Sequence, residues 1–394
     1  MMRRIAALAV LVGCTPLTPF RPDAGPDAGG GAAGGGAAGG GQAGGSSGGF
    51  AGGASGGLPA GGGFVFAGGA GGGTAGGTAG GAAGGTPIDG GFTWTPISFP
   101  SNVALQTVAV QGRDVAGVTF TGELLTLDGG AFVPVPGFSF VEAMDVLVTP
   151  SRRVFVAGNR NNSYVCAANC GSGSSFTLKT TTTGTEFFVG LCGEGERVFA
   201  VAIGTSLSGI LLEYSNDAWR RVTTSLGVGT VRTCVVAPNG DVYVAGDDGV
   251  ARVTGSTSTP EPIDLQLQPA ARWSWVALTF DGGTVTDGLL TGGSSGYRLA
   301  RRGGSGTWVA LPPRPGGMEL YGVVALRDHS FFAVGTPSSS STDRFFLFED
   351  DQLSLVQPPP PLLVDVSSMA VGPEGLYVVG QASSGRKHCF RGTR

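Results

Sequence analysis

Histidine is almost missing from this chain: 394 residues hold only His329 and His388. Charge is sparse too, with 13% Asp, Glu, Lys and Arg and a net charge of −4. No basic patch or charge run breaks this pattern, which argues against nucleic acid as a partner. There is no HExxH, P-loop, EF-hand loop or CxxC pair, so the common metal and phosphate motifs are absent. Two histidines poorly supply a histidine-rich copper site, and six cysteines in so histidine-poor a chain do not look like metal ligands. No metal, cofactor or catalytic residue is therefore expected. The cysteines fit an oxidising compartment better.

Glycine is the opposite case, with 74 residues, many of them before residue 91. Residues 15–91 are dominated by Gly and Ala, with Pro-Asp-Ala-Gly repeated at 22–25 and 26–29. Such a stretch buries too little apolar surface to offset the entropy of ordering it. It reads as a disordered linker with a root-mean-square span of roughly 45–55 Å. Its one oddity is the apolar patch Phe64-Val65-Phe66, either a sticky spot in a coil or a partner-binding motif.

Ahead of the linker stands MMRRIAALAVLVGC, with a basic start at Arg3 and Arg4 and an apolar run from Ile5 to Val12. That run is far shorter than the roughly 20 residues that span a bilayer, so residues 1–13 read as an export signal. The end of the segment, Leu11-Val12-Gly13-Cys14, resembles the bacterial lipobox. The resemblance implies cleavage before Cys14 and lipid attachment there, so that residues 14–91 join a lipidated cysteine to the linker. In Gram-negative lipoproteins an aspartate after the cysteine commonly favours inner-membrane retention. Thr15 stands there instead and points to the outer membrane.

From residue 92 onward a phrase recurs, clearest at 234–254 as CVVAPNGDVYVAGDDGVARVT. The small residue that closes its second apolar run falls at Thr119, Gly158, Ala202, Gly246, Gly292, Gly335 and Gly380, with spacings of 39, 44, 44, 46, 43 and 45 residues. The runs are short, rich in Val, Phe and Tyr, and bounded by Gly, Pro, Asn and Asp, which disfavours helical repeats. A period near 44 residues with four strands per unit is the mark of a β-propeller blade. Residues 92–394 thus predict an all-β, seven-bladed β-propeller, about 43 residues to a blade. Near-continuous apolar runs suit strands packed on both faces. Blade three, with VFAVAIGTSLSGILLEYSNDAWRRV, resembles kelch or sialidase-type blades. Blade four continues into PEPIDLQ, and blade five, with GGTVTDGLLTGG, is the most irregular. Lipobox, Gly/Ala-rich spacer and propeller together resemble myxobacterial surface lipoproteins.

The chain stops at Arg394 after a third strand of blade seven, KHCFRGTR. The missing fourth strand is supplied by FTWTPISF at 92–99, which repeats the outer-strand pattern of an aromatic followed by an aliphatic: Trp94/Ile97 beside Phe132/Val135, Trp219/Val222 and Trp308/Leu311. Such a strand closes the ring and removes its open edges. It should bury Trp94, Ile97 and Phe99.

Two disulfides are candidates. Residues four apart in a straight strand lie roughly 13 Å apart, beyond the limit of about 7 Å for a bridge, so Cys166 and Cys170 pair only if residues 167–169 turn tightly. Cys192 and Cys234 fall in the first strands of neighbouring blades. Cys389 is left over.

The remaining chemistry is thin. His329 reads as a solvated turn residue, and the acidic pairs at Asp247-Asp248 and Glu349-Asp350-Asp351 as turn residues of different blades. Paired carboxylates could serve glycoside hydrolysis, and fragments of the sialidase box occur at Asn216-Asp217-Ala218-Trp219 and Ser305-Gly306-Thr307-Trp308. These readings lead to a membrane-anchored, monomeric, non-catalytic propeller that binds an envelope or extracellular protein or glycan. The alternatives are a degenerate glycan-acting hydrolase or lyase, and a periplasmic envelope-assembly scaffold. Any binding site is expected on loops at one end of the channel, such as those after Gly158, Gly246 and Gly335; its contacts stay unnamed.

Overall fold

The computed structural model describes the backbone of Phe66–Ala67 and residues 91–394, apart from short stretches in the loops between strands. The signal segment, Cys14, Phe64, Val65 and most of the linker lie outside the described residues, as does the Ser-rich loop at 338–341. Among the described residues no helix is long and apolar enough to cross a membrane.

Seven antiparallel sheets follow one another along the chain, each with its first strand innermost and its fourth outermost. Blade one, for example, comprises Leu105–Gln111, Asp114–Thr119, Glu123–Asp128 and Ala131–Ser139. Blade four comprises Val231–Val236, Val242–Gly246, Gly249–Thr254 and Thr257–Glu261. Val242–Gly246 is buried at every position, as a strand packed on both faces requires. The cores lie between sheets. One cluster joins Phe155 of blade two to Phe188, Leu212 and Trp219 of blade three, and another joins Tyr243 of blade four to Leu290 and Trp308 of blade five.

The ring closes as the sequence predicts. Thr93–Ile97 pairs antiparallel with Lys387–Thr393, with Ile97 opposite Cys389. The chain then reaches blade one, where the Phe132 amide donates to the Ser98 carbonyl at 2.7 Å. The burial differs in detail. Phe92 and Ile97 are buried, whereas Trp94 and Phe99 are only partly covered. Phe92 stacks on Trp94 and meets the edge of Phe332 in blade six at 5.2 Å.

Two further edges depart from expectation. The outer strand of blade four is Thr257–Glu261, and Ile263–Asp264 does not extend it. That pair crosses over to lie parallel to Trp308–Ala310 as a fifth strand of blade five. The partner strand begins at Gly249, next to Val250 opposite Glu261, and Pro262 beyond it has no amide proton to lengthen the ladder. Phe66–Ala67 lies parallel to the channel-facing edge of blade seven's inner strand, Phe66 opposite Ser368 and Ala67 opposite Met369. One end of the linker's apolar patch is therefore strand-paired.

A feature the sequence did not announce recurs at the start of the inner strands. Six of the seven carry a register shift there, ending at Thr107, Asp145, Gly190, Thr233, Gly322 and Ser368. Such bulges sharpen twist and disturb the ladder locally. Polar side chains satisfy backbone amides at these points. Ser368 Oγ accepts from the Val108 amide, Thr107 Oγ1 lies 3.2 Å from Ser368 Oγ, and Asp145 Oδ2 accepts from the Leu191 amide at 2.7 Å. Blades seven, one, two and three are thereby linked. Asp145 is fully buried, and burial pushes its pKa up to about 7 against the pull of the Leu191, Val146 and Thr107 hydrogen bonds.

Both cysteine pairs form disulfides, Cys166–Cys170 with Cα atoms 6.0 Å apart and Cys192–Cys234 at 5.7 Å. Cys389 is a buried free thiol whose pKa burial drives up.

Candidate functional site

A cleft of about 650 Å³ lies between blades four and five. Its construction begins with the turn that opens the repeat phrase. Gly240 takes φ +89°, a left-handed value that glycine reaches without strain. Its amide donates to the Ala237 carbonyl at 2.8 Å, and Asn239 Oδ1 accepts from the Asp241 amide at 3.0 Å. This Asx turn fixes Asp241 at the head of the second strand. The Asp241 carboxylate then accepts from Arg252 Nε at 2.8 Å, from Thr254 Oγ1 at 2.7 Å and from Asn239 Nδ2 at 3.1 Å. Burial pushes Asp241 up, but these donors outweigh it and hold its pKa below the usual value.

The opposite wall comes from blade five. Arg302, at the end of the third strand, reaches across to Glu261 with Nε–Oε2 at 3.0 Å and Nη2–Oε1 at 2.9 Å, a bidentate pair. Trp308 Nε1 donates to the same carboxylate at 2.7 Å. Both partners are nearly buried, Arg302 at 8% and Glu261 at 7% side-chain exposure. The Arg302 guanidinium lies over the Tyr243 ring, 5.6 Å from its centroid, in cation–π geometry. The Trp308 amide donates to the Pro262 carbonyl, so the crossover strap bounds this junction on the outside. The cleft opens where the turns at Asn239-Gly240 and Gly306 lie. That is the end of the blades opposite the loops after Gly158, Gly246 and Gly335, where the sequence reading placed the site.

The other candidates scatter. Asp247 pairs with Arg232 at 3.6 Å at one end of the blades. Glu349, at the other end, accepts from Ser330 and from Arg394 at the C-terminus. Asp217 sits in the Asn216-Asp217 hairpin turn and accepts from Tyr214 at 2.6 Å, while Trp219 donates to Ser163 of blade two. The sialidase-box fragments are thus turn and packing elements here. No three His, Cys, Asp or Glu side chains gather as a metal site among the described residues.

His329 is the exposed turn residue that the sequence suggests, with a carboxylate partner that the sequence did not reveal. It occupies a left-handed turn position, φ +53°, and is 50% exposed, but its Nδ1 lies 2.8 Å from Asp287 Oδ2 of blade five. Asp287 is 1% exposed and also accepts from Arg301 Nη2 at 2.7 Å and from the Gly288 amide. Burial raises the Asp287 pKa, and Arg301, His329 and the amide together bring it below the usual value. The histidine is oriented by a carboxylate one repeat away, a spacing of 42 residues that marks contact between successive blades.

No family model and no curated protein matches the chain. Solved structures do. A streptogramin B lyase aligns with TM-score 0.56 at 10% identity, over 77% of this chain and 98% of its own. A catalytically inactive virginiamycin B lyase from Staphylococcus aureus with quinupristin gives 0.56 at 9%, over 76% and 99%. YCF48 bound to D1 peptide gives 0.54 at 13%, over 76% and 97%. The likeness is one of fold. It places the chain among seven-bladed propellers and does not reach their functions.

Proposed function

We propose that the chain is an exported, lipid-anchored propeller that binds an envelope or extracellular partner and does not transform it. The observation that carries this reading is the state of the charged groups in the cleft. Asp241 and Glu261 are each bonded to an arginine, and Asp241 is held below its usual pKa. A carboxyl held in its charged form, as Asp241 is, suits recognition, whereas general acid–base work needs a group poised near the working pH. The carboxyls that do titrate near neutrality, Asp145 and Asp343 at about 7 and about 6, are buried between blades and bonded to backbone amides. The two disulfides support an oxidising compartment, and the lipobox-like Leu11-Val12-Gly13-Cys14 supports anchoring at Cys14.

A second reading, a degenerate hydrolase or lyase, draws support from the His329–Asp287 pair, because a carboxylate-oriented histidine is the usual form of a general base. One set of variants separates the two. Cys14→Ser is expected to leave the membrane fraction with the propeller's melting temperature unchanged; a protein that still sediments with membranes removes the lipid anchor from the model. His329→Ala is expected to leave partner binding intact. Loss of a measurable turnover in that variant would move the protein to the enzymatic reading.

A further inference from the structure

The cleft between blades four and five also specifies a ligand class, an inference that rests on the binding function proposed above. We propose that it receives an uncharged, polyhydroxylated ligand, a short stretch of neutral oligosaccharide. The first reason is charge. Arg252 is paired with Asp241 behind it and Arg302 with Glu261, so each cation of the lining already has its own carboxylate. An anionic ligand would compete with Asp241 and Glu261 for the two arginines, and drawing Arg302 away would strand a carboxylate only 7% exposed.

The second reason is the alternation of the lining. Hydroxyls at Thr254, Thr259 and Thr284 stand among the hydrocarbon faces of Pro260, Pro262 and Val285. A sugar ring has the same alternation, hydroxyl edges and C–H faces. Threonine hydroxyls both donate and accept, as sugar hydroxyls do. Thr254 already donates to Asp241 and so meets a ligand with its lone pairs. Arg252 and Arg302 commit Nε and Nη2 to their carboxylates, and the Nη1 protons lie outside those bonds.

The third reason is what the cleft disfavours. An extended peptide binds by adding to a strand edge. The edge here is Thr257–Glu261, where Pro260 offers no amide proton. The volume of about 650 Å³ falls in the range of small-ligand clefts and suits a few sugar units, not a folded partner.

The test uses the full chain with laminarihexaose, cellohexaose, chitohexaose and maltohexaose as uncharged probes and hexagalacturonate as the anionic one. Calorimetry reports binding. At least one uncharged hexasaccharide is expected to bind, with Kd shifting less than about twofold between about 50 and about 500 mM NaCl, since no ion pair forms. Arg252→Ala with Thr259→Val is expected to weaken it about tenfold or more at unchanged melting temperature. Absence of binding across the uncharged panel, or binding of hexagalacturonate alone with strong salt dependence, overturns the proposal. Oligosaccharide binding that survives the double variant overturns the placement in this cleft. A partner protein bound through other residues with no sugar bound would sink the proposal and leave the binding function standing. Cleavage of a bound sugar that stops in His329→Ala would overturn the binding reading while supporting the ligand class.

Discussion

The junction between blades three and four and the junction between blades four and five join the same kinds of sheet by opposite means. The first is tied near the axis by the Cys192–Cys234 disulfide between inner strands. Farther out, Arg197 donates to Glu213 within blade three and to the Gly240 carbonyl of blade four, beside a cleft of about 330 Å³. The second is tied towards the rim, by the Arg302–Glu261 pair, the Trp308 indole and the crossover strap, and encloses about 650 Å³. The covalent tie has no polar demands. The ionic tie must keep two nearly buried charges satisfied, and in doing so presents fixed donors and acceptors to the larger cleft. One junction carries its tie near the axis, and the other carries it at the rim, beside the larger of these two clefts.

The closing seam sets the upper scale for breaking any junction. A chain beginning at Asn102 loses Phe92 and Ile97, each worth roughly 1.5–3 kcal/mol when fully buried, an upper estimate. It also loses the half-covered Trp94. The protein is expected to aggregate or melt far earlier than one beginning at Gly91, and equal melting temperatures would contradict the closure. At the junction of blades four and five, Glu261→Ala strands Arg302 as a nearly buried charge. Removing one partner of a buried pair costs about 3–5 kcal/mol, which urea denaturation should reveal.

At the junction of blades three and four, Cys192→Ala with Cys234→Ala opens a loop of sequence separation 42. The expected loss is about 2–4 kcal/mol, against about 2 kcal/mol for the four-residue Cys166–Cys170 loop, because closure entropy grows with the logarithm of loop length. If the short-loop pair proves the costlier, junction tying is not what the long-range disulfide does.

A smaller effect comes from pH. The Asp145 and Asp343 pKa values are raised to about 7 and about 6 in the fold, from 3.8. Between those limits the native state binds more protons than the unfolded one, so stability falls as pH rises. The contribution is present in full below about pH 4 and gone above about pH 7. Melting temperature should therefore drop at these sites from pH 5 to pH 7.5, and Asp343→Asn should flatten part of that slope. A profile unchanged in the variant would assign the slope elsewhere. Smallest is Arg252→Ala. Its side chain is 44% exposed, and although Asp241 is only 6% exposed, Thr254 and Asn239 continue to donate to it, so the loss should be about 1 kcal/mol and the variant should melt close to the parent.

Much of this architecture could be read from residues alone. The Asn239-Gly240 turn, the anchors at Gly158, Gly246 and Gly380 and the outer-strand aromatics located the blades, because glycine and β-branched residues act through local backbone preference. The Cys192–Cys234 bridge was a candidate because both residues fall in the first strands of neighbouring blades, 42 residues apart. The same spacing holds for Asp287 with His329, 42 residues apart, and Glu261 with Arg302, 41 apart. These pairs could have been sought in the same way, but an Asp, Glu or Arg at such a distance is common by chance, and a cysteine is not.

The sequence by itself determined the number of blades and the strand that closes the ring, since each depends on local pattern or on the period, and it offered the two cysteine pairs as candidates that the structure then joined. Only the tertiary structure decided which end of the blades carries the cleft, that Ile263–Asp264 leaves blade four for blade five, and that Arg302 turns towards Glu261. Those outcomes depend on how two sheets meet face to face, where a side chain chooses between water and a partner some forty residues away in sequence. No local preference encodes that choice; burial of both charges together, satisfied by each other and by Trp308, makes it.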